Sequence, residues 1–232
     1  MIIAVILAAG KGTRIKNAEK PKQYLEIGGK PILVHSVEKF LACNQIDHIV
    51  VAVHPNWLDV AKALLSDEQY WKVSICTGAD NRQESLYKSL RYCQTALNAP
   101  SDAIIVSHDA ARPFVTKEII EANINAMQSS GAVNTVIPSV DTLIQSVDGK
   151  TITSTTDRSQ MYQVQTPQTF RLQQFIDIYE RLDTMALQQS TDAISVLHTC
   201  GVKIFLVLGH RRNIKITTEE DLQFARYWLK DR

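Results

Sequence analysis

The chain has 232 residues, 45% of them hydrophobic, and a formal net charge of +1 at pH 7. This size and composition suit one domain over residues 1–232 with a core of ordinary size. The small charge and the lack of a basic stripe with interleaved aromatics argue against nucleic-acid binding, and no apolar stretch approaches the roughly 20 residues of a membrane span. We therefore expect a cytoplasmic protein without membrane insertion.

The residue types that bind metals do not cluster along the chain. The four cysteines form no Cys-x-x-Cys pair and are predicted to be small core residues: Cys43, Cys76, Cys93 and Cys200. Five histidines lack metal-ligand spacing and receive no role: His35, His48, His54, His198 and His210.

Predicted strands and helices alternate along most of the chain. Apolar runs typical of strands lie at residues 2–7, 48–53, 73–76, 103–107, 132–138 and 202–207. Helical patterns lie near residues 31–42, 57–65, 82–97, 117–129, 172–182 and 219–229. This alternation predicts an α/β fold, a Rossmann-like and mostly parallel sheet with helices on both faces.

Residues 141–157 interrupt the alternation with β-branched residues and an Asp148-Gly149 turn. They predict a hairpin outside the main sheet, a protruding β-arm over residues 139–160. An exposed apolar edge on such an arm favours packing on a second subunit, so we expect a homodimer.

The first predicted strand leads into a glycine-containing loop rich in cations. The positive side chains are Lys11, Arg14, Lys16, Lys20 and Lys22. Cations beside free backbone N–H groups suit a nucleoside triphosphate. A Walker A loop needs Ser or Thr after its lysine, but Gly12 follows Lys11, and Ile15 stands where a dinucleotide fingerprint needs a glycine. The alternative is an ordinary turn with a solvated basic face.

A second polar group follows the predicted strand at residues 103–107. Asp109 and Arg112 would lie at the same edge of the sheet as the first loop. An acid there could hold Mg²⁺ or a ribose hydroxyl, and the arginine a phosphate or hydroxyl. The alternative is an Asp–Arg pair that only stabilises the turn before Pro113.

Two predicted helix starts carry further candidates. Arg82 and Ser85 would point from a first helical turn toward an anion, although capping alone explains such residues equally well. Lys215 precedes a helix with a capping-box-like start and could neutralise a phosphate.

Residues 157–170 contain many amides and little periodicity, which argues against a regular helix or strand. The Thr166-Pro167 step favours an extended backbone there. We interpret the segment as a polar lining of a ligand crevice or, alternatively, an interface loop.

Taken together, these stretches resemble the polyol-phosphate cytidylyltransferase family. The matching motifs are residues 7–14, 21–25, 108–113, 141–142, 165–170 and 213–217, in the family's order. The resemblance implies a nucleotidyltransferase fold, dimerisation through the arm, Mg²⁺ dependence, and CTP and a polyol phosphate as substrates.

The resemblance also assigns roles to individual residues. Transition-state stabilisation falls to Arg14 and Lys22, with Lys215 assisting. Nucleotide binding falls to Ala8, Ala9, Gly10, Gly12, Gly78, Arg82, Ser85, Asp109 and Ala110, with Asp109 also the metal ligand. Acceptor binding falls to Asp109, Arg112, Thr142, Arg158, Thr166 and Lys215, with Arg158 from the chain's own arm or from that of a second subunit.

The implied reaction transfers CMP from CTP to the acceptor phosphate and releases pyrophosphate. The family's two branches use ribitol 5-phosphate and 2-C-methyl-D-erythritol 4-phosphate. Gln145 and the single acid of Thr191-Asp192-Ala193 favour ribitol, whereas Ala8-Ala9 and residues 21–24 are more typical of the erythritol branch. Ribitol 5-phosphate is our prediction. A sugar-1-phosphate nucleotidyltransferase and a non-catalytic nucleotide-binding protein are the remaining alternatives.

Overall fold

A computed structural model of the chain describes residues 1–10, 12 and 20–230. Its strands are β1 (Ile2–Ala8), β2 (Glu26–Ile27), β3 (Lys30–Pro31), β4 (His48–Val53), β5 (Val73–Thr77), β6 (Ile104–Asp109), β7 (Ala132–Pro138), β8 (Ile144–Gln145), β9 (Ser154–Thr155), β10 (Tyr162–Arg171) and β11 (Ile204–Leu208). Its α-helices are α1 (Ile32–Leu41), α2 (Leu58–Leu64), α3 (Arg82–Ala96), α4 (Lys117–Ala126), α5 (Leu172–Arg181), α6 (Thr184–Gln189), α7 (Ala193–Thr199) and α8 (Glu219–Lys230). Short 3-10 turns lie at Lys22–Tyr24, Pro55–Trp57, Glu68–Tyr70 and Arg158–Gln160.

Seven strands form the main sheet, in the order β11-β7-β10-β6-β1-β4-β5. Every neighbouring pair is parallel except the two pairs made by β10, which is antiparallel to both β6 and β7. The predicted sheet of mostly parallel strands with helices on both faces is therefore confirmed.

Both faces of the sheet are covered, which explains the unbroken apolar sequence of β1. Ala4 and Ile6 face the cluster that includes α1, α2 and α4, whereas Ile3 and Val5 face the cluster that includes α3, α5 and α7. A strand buried on both faces needs no polar alternation.

The order of the strands places a crevice beside β1. The chain passes from β1 through β4 to β5 on one side and then returns to form β6 on the other side of β1. The loops that follow β1 and β6 therefore diverge at their carboxyl ends, which is where open α/β sheets bind ligands.

Residues 157–170 were wrongly predicted to be irregular. Most of this segment belongs to β10, in the middle of the sheet, where Thr169 is paired with Val106 of β6 and with Val133 of β7. The register shifts between Val164 and Gln168, and the Thr166–Pro167 peptide bond is cis. Polar side chains on this strand bond within the protein, so its sequence lacks the apolar pattern of a buried strand.

Smaller differences concern α6 and α7, neither of which was predicted, and the cysteines. Cys43, Cys76 and Cys93 are buried as expected, whereas Cys200 is exposed. None of the described helices is long and apolar enough to cross a membrane.

Residues 144–155 contain a small hairpin separate from the main sheet, in which Ile144 of β8 is paired with Thr155 of β9. Asp148 accepts hydrogen bonds from the amides of Lys150 and Thr151 at its turn. The use of residues 139–160 as a dimerisation arm, and the assignment of residues 1–232 to one domain, stay predictions.

Candidate active site

A cavity of about 260 Å³ opens at the carboxyl ends of β1 and β6. It is lined by Leu7, Ala8, Ala9, Gly10, Gly12, Lys22, Gln23, Ala79, Asp80, Asn81, Arg82, Ser85, Asp109, Ala110, Ala111 and Lys215. Four separate stretches of the predicted site thus converge on one crevice: the loop after β1, the start of α3, the end of β6 and the segment before α8.

Asp109, the last residue of β6, is the anionic centre of this cavity. Its Oδ1 lies 3.1 Å from Arg82 Nε and its Oδ2 lies 2.8 Å from Lys215 Nζ. Arg112 Nε lies 3.9 Å from Oδ2. Three positive side chains therefore surround one carboxylate, leaving a net positive group that suits an anionic ligand.

The protonation state of Asp109 follows from opposing effects. Burial by itself raises the pKa of this carboxyl, but the charges of Arg82, Lys215 and Arg112 outweigh burial and hold the pKa well below its usual range. Asp109 is consequently ionised at neutral pH.

The start of α3 is stabilised by hydrogen bonds within its own turn. Asn81 caps the helix by accepting from the Glu84 amide at 2.8 Å. The Ser85 hydroxyl accepts from Ala79 N at 2.9 Å and donates to Asn81 O at 2.7 Å, so it stabilises this turn from within. One donor of Arg82, its Nη1, is buried and has no hydrogen-bond partner among the described residues, which leaves it for a ligand.

Gly78 lies where the loop before α3 approaches the loop after β1. A Cβ at this position would lie 2.5 Å from Ala9 Cβ and 3.2 Å from Ser85 Oγ. Only glycine fits this contact without displacing the loop after β1.

Gln23 holds the same loop from the other side. Its Nε2 donates to Ala8 O at 2.7 Å and to Gly10 O at 2.8 Å, and the side chain is buried. The neighbouring Lys22 reaches across the cavity edge to Ile216 O at 2.7 Å. Residues 22–23 therefore connect the loop after β1 with the segment that carries Lys215.

Asn213 and Arg112 fix the position of the segment that carries Lys215. Arg112 Nη1 donates to Asn213 O at 2.7 Å, and Asn213 Nδ2 donates to Thr166 O at 2.8 Å. The amide of Ile216 donates to Ala111 O at 2.8 Å. These bonds hold Lys215 beside Asp109, although the two residues are far apart in the sequence.

His108 and Thr166 lie directly behind Asp109. The Asp109 amide donates to Thr166 Oγ1 at 3.2 Å, Thr166 Oγ1 lies 2.9 Å from His108 Nδ1, and His108 Nε2 lies 3.1 Å from Arg112 O. Burial lowers the pKa of His108 to about 4, despite the raising effect of the Arg112 carbonyl, so its imidazole is neutral at neutral pH.

Several predicted site residues occupy other places. Arg14 lies outside the described residues. Thr142 and Arg158 are exposed in the hairpin region rather than among the lining residues, and Arg158 Nη1 donates to Val140 O at 3.2 Å. Arg112 and Thr166 lie beside the cavity, bonded to the protein.

No individual role was predicted for Gln23, His108 or Asn213, although all three shape the site. Each is a polar residue inside one of the motifs, and a buried amide or imidazole needs hydrogen-bond partners, so its position in the motif could have indicated a structural role. Their partners come from other motifs, so the sequence did not show which groups they hold.

The described residues contain no cluster of three or more His, Cys, Asp or Glu side chains that could hold a metal ion. Asp109 is an ionised carboxylate that lines the cavity, and Mg²⁺ commonly uses one or two carboxylates together with substrate phosphates. Both oxygens of Asp109 are already paired, with Arg82 and Lys215, so a magnesium ion at this carboxylate would have to share it with these cations and take its other ligands from a bound phosphate.

The chain is similar to cytidylyltransferases along nearly its whole length. The family model described as "IspD: 2-C-methyl-D-erythritol 4-phosphate cytidylyltransferase" matches residues 2–231. Ribitol-5-phosphate cytidylyltransferase of Lactiplantibacillus plantarum is 39% identical over 229 residues, covering 97% of each chain. The protein of the same name from Streptococcus pneumoniae is 38% identical over 235 residues, covering 99% of each chain.

The fold is also similar to those of solved structures. The 4-diphosphocytidyl-2C-methyl-D-erythritol synthase of Anaerococcus prevotii matches with a TM-score of 0.82 and 28% identity, covering 99% of this chain and 98% of that one. The 2-C-methyl-D-erythritol 4-phosphate cytidylyltransferase of Francisella tularensis matches with a TM-score of 0.80 and 28% identity, covering 98% and 99%.

Proposed function

Because the chain belongs to the 2-C-methyl-D-erythritol 4-phosphate cytidylyltransferase family, we propose that it transfers CMP from CTP to D-ribitol 5-phosphate, forming CDP-ribitol and releasing pyrophosphate. The main support for this reaction is that Arg82, Arg112 and Lys215 surround Asp109 in a cavity at the end of β6. Ribitol is favoured as the acceptor because both curated relatives, similar over nearly their whole length, are named for it.

The chemistry suits this lining. An oxygen of the acceptor phosphate attacks the α-phosphorus of CTP, the bond from that phosphorus to the bridging oxygen breaks, and pyrophosphate leaves with the electron pair. The attacking phosphate is already ionised near neutral pH, so no general base is needed. The lining residues that the structure describes include cations but no histidine or cysteine, which agrees with a reaction that requires charge stabilisation more than a nucleophile.

The positive side chains have separate tasks in this proposal. Lys22 and Lys215, with Arg14, offset the negative charge that develops on the oxygens around the α-phosphorus. Arg82, Ser85 and the loop after β1 hold the nucleotide. Gly78 permits the close approach of the two nucleotide-binding loops.

Magnesium is part of the proposal. Asp109 would hold the ion together with oxygens of the triphosphate, and the ion would supply further charge neutralisation. The chain's own contribution is the ionised carboxylate, kept in place by Arg82 and Lys215.

We further propose that the enzyme is a cytoplasmic homodimer in which the region of β8 and β9 packs on a second subunit. Apolar side chains of this region are exposed in the single chain, which supports the proposal: Leu143, Ile144, Val147 and Ile152. Thr142 and Arg158 lie in the same region, so contact with a second subunit would give them a route to an acceptor. Sedimentation of the parent and of Val147→Asp should show a dimer and a monomer, respectively.

The reaction is tested by pyrophosphate release with CTP and Mg²⁺, comparing ribitol 5-phosphate with 2-C-methyl-D-erythritol 4-phosphate at equal concentrations. We expect faster turnover of ribitol 5-phosphate. Preference for the erythritol substrate would contradict the proposed acceptor but not the transfer of CMP. A panel of CTP, UTP, GTP and ATP tests the nucleotide, and preference for UTP or GTP would contradict cytidylyl transfer.

The erythritol substrate is the second candidate because the matched family model and the solved structures are named for it. Those structures are 28% identical to this chain, whereas the ribitol-named relatives are 38–39% identical. The same assay decides between the two acceptors.

A further inference from the structure

We propose that Gln83 is a positioning residue for Arg82: it ties the first turn of α3 to the connection between α6 and α7, residues 190–192, and thereby sets where the Arg82 guanidinium meets the nucleotide. This inference rests on the proposed function and deepens it, because that function assigns Arg82 to the nucleotide. Gln83 is not among the residues that line the cavity, so it acts only through its neighbour.

The carboxamide of Gln83 faces the backbone of residues 190–192. The side chain is buried, with 7% exposure. Its Nε2 donates to Asp192 O at 2.7 Å and to Ser190 O at 3.3 Å. A primary amide carries two N–H donors, and here both are directed at backbone carbonyls. Gln83 therefore joins the start of α3 to a segment that is far away in the sequence.

The connection that Gln83 binds is itself fixed to the core. Asp192 caps α7 by accepting from the Ser195 amide at 2.8 Å. Four residues of α7 are buried in the cluster that covers one face of the main sheet: Ala193, Ile194, Val196 and Leu197. The carbonyls that accept from Gln83 thus belong to a firmly packed part of the fold, so the bonds restrain α3.

Gln83 and Arg82 are neighbours on the first turn of α3, so their side chains leave the helix about 100° apart. Arg82 turns toward the cavity, where its Nε lies 3.1 Å from Asp109 Oδ1, whereas Gln83 turns toward residues 190–192. Bonds on one side of the turn therefore fix its rotation and, with it, the direction of the side chain on the other side. The buried Nη1 of Arg82 can reach a nucleotide only in the right direction.

The stability of the fold does not by itself account for an amide at position 83. The Oε1 of Gln83 is buried without a hydrogen-bond partner among the described residues. An unsatisfied buried acceptor is destabilising and offsets part of what the two donors contribute. Methionine would fill a similar space without such an acceptor. The directed bonds to the backbone are what the amide adds, which agrees with a positioning role.

The main test compares Gln83→Met, which removes the amide and keeps a similar shape, with Gln94→Met. Gln94 is the matched control because it also lies on α3 and donates from its side chain to Gln173 Oε1 at 2.8 Å, but near the other end of the helix. The readouts are the Kd of CTP measured by calorimetry without acceptor, and kcat and the acceptor KM with Mg²⁺ at saturating CTP.

We expect Gln83→Met to raise the Kd of CTP by at least about fivefold and to lower kcat by about tenfold, with the acceptor KM within about twofold of the parent. Gln94→Met should remain within about twofold in every constant. A folded Gln83→Met protein with the CTP affinity of the parent would overturn the inference. So would an equal loss of CTP affinity in Gln94→Met, because the effect would then be a general loosening of α3.

A double-mutant cycle tests whether Gln83 acts through Arg82. Arg82→Ala should itself weaken CTP binding, and adding Gln83→Met to it should change the Kd of CTP by less than about twofold. A merely structural role for Gln83 predicts the same effect in both backgrounds. An undiminished fivefold effect in the protein that lacks the arginine side chain would therefore contradict the inference.

A measurement on the parent protein keeps the inference testable if Gln83→Met does not fold. The side-chain amide protons of Gln83 should exchange with solvent far more slowly than those of Gln223, which is exposed on α8. Equal rates would overturn the inference, since the carbonyls would not hold the amide. If the parent binds CTP but transfers CMP to no acceptor, the proposed function fails, while the CTP affinities still decide the role of Gln83.

Discussion

The ammonium group of Lys215 lies 2.8 Å from Asp109 Oδ2, and this ion pair joins the segment before α8 to the end of β6. Lys22 reaches the same segment through Ile216 O at 2.7 Å. Two lysines from distant parts of the sequence are thereby brought to one cavity. The segment at residues 213–217 therefore contributes to the same cavity as the glycine-containing loop.

Replacing Lys215 with methionine keeps the length of the side chain and removes its charge. We expect kcat for pyrophosphate release to fall by at least about a hundredfold, since the proposed function makes Lys215 a cation that stabilises developing charge. The control is Lys117→Met, which removes an exposed lysine paired with Glu121 at 3.7 Å on α4. A Lys215→Met enzyme with normal kcat and only a raised KM would assign Lys215 to ground-state binding.

Gly78→Ala should push apart the two loops to which the proposed function assigns the nucleotide. The new Cβ would lie 2.5 Å from Ala9 Cβ, which is fixed to the backbone and cannot rotate away. We expect a loss of about 1–3 kcal/mol in the free energy of unfolding and a raised KM for CTP. At Gly10, a Cβ meets no atom of the described part of the chain within 4 Å, so Gly10→Ala should leave the unfolding free energy unchanged. Equal stability of the two variants would show that the loops adjust without cost.

Gln23→Glu replaces an amide donor with an oxygen that faces two carbonyl oxygens. The variant loses the bonds to Ala8 O and Gly10 O, and we expect unfolding to become easier by about 3 kcal/mol. The KM for CTP should rise about tenfold, because the loop after β1 is no longer held. Gln223→Glu makes the same change at an exposed position of α8 and should alter neither quantity. Normal CTP affinity in Gln23→Glu would mean that the nucleotide orders the loop unaided.

His108 makes the stability of the protein depend on pH between about 4 and 6.5. Its pKa is lowered by burial to about 4 in the folded protein, whereas it is about 6.5 in an unfolded chain. The unfolded state therefore binds more protons in this window, and stability falls as the pH falls. From pH 7 to pH 5, this histidine should account for a loss of about 2 kcal/mol.

Denaturant titrations of the parent and of His108→Gln at pH 7 and pH 5 measure that contribution. The variant should be less stable at pH 7, since it lacks the imidazole, but its further loss at pH 5 should be smaller by about 2 kcal/mol. The pKa values of His35 and His48 are also lowered by burial, and both residues are present in both proteins, so their effects cancel. An identical loss in the two proteins would show that His108 is not held neutral.

The contrast between β1 and β10 shows why some elements were predictable from sequence and others were not. β1 is an apolar run, and burial on both faces of the sheet follows from that composition. β10 is as central but polar, because Gln168 bonds to Asn134 and Asp192, and Thr169 to Asn123. A buried strand stabilised by side-chain hydrogen bonds has no apolar periodicity by which to identify it.

The same distinction holds for the candidate site. The local motifs around Gly10, Arg82, Asp109 and Lys215 identified which stretches carry charge and glycine, and strand order brought them to one edge of the sheet. The partners of Thr166 and Arg112 were not visible, because each bonds to residues far away in the chain. Their contacts point to support of the site as a second role beside the predicted binding of the acceptor.

The sequence by itself determined the alternation of strands and helices, the cations of the nucleotide loop and the resemblance to cytidylyltransferases, because these depend on local composition and short motifs. The tertiary structure decided how the groups are used: which cations face Asp109, why His108 is neutral, and which residues hold the segment that carries Lys215. Those properties depend on burial and on distances between residues that are remote in sequence, which only the folded chain establishes.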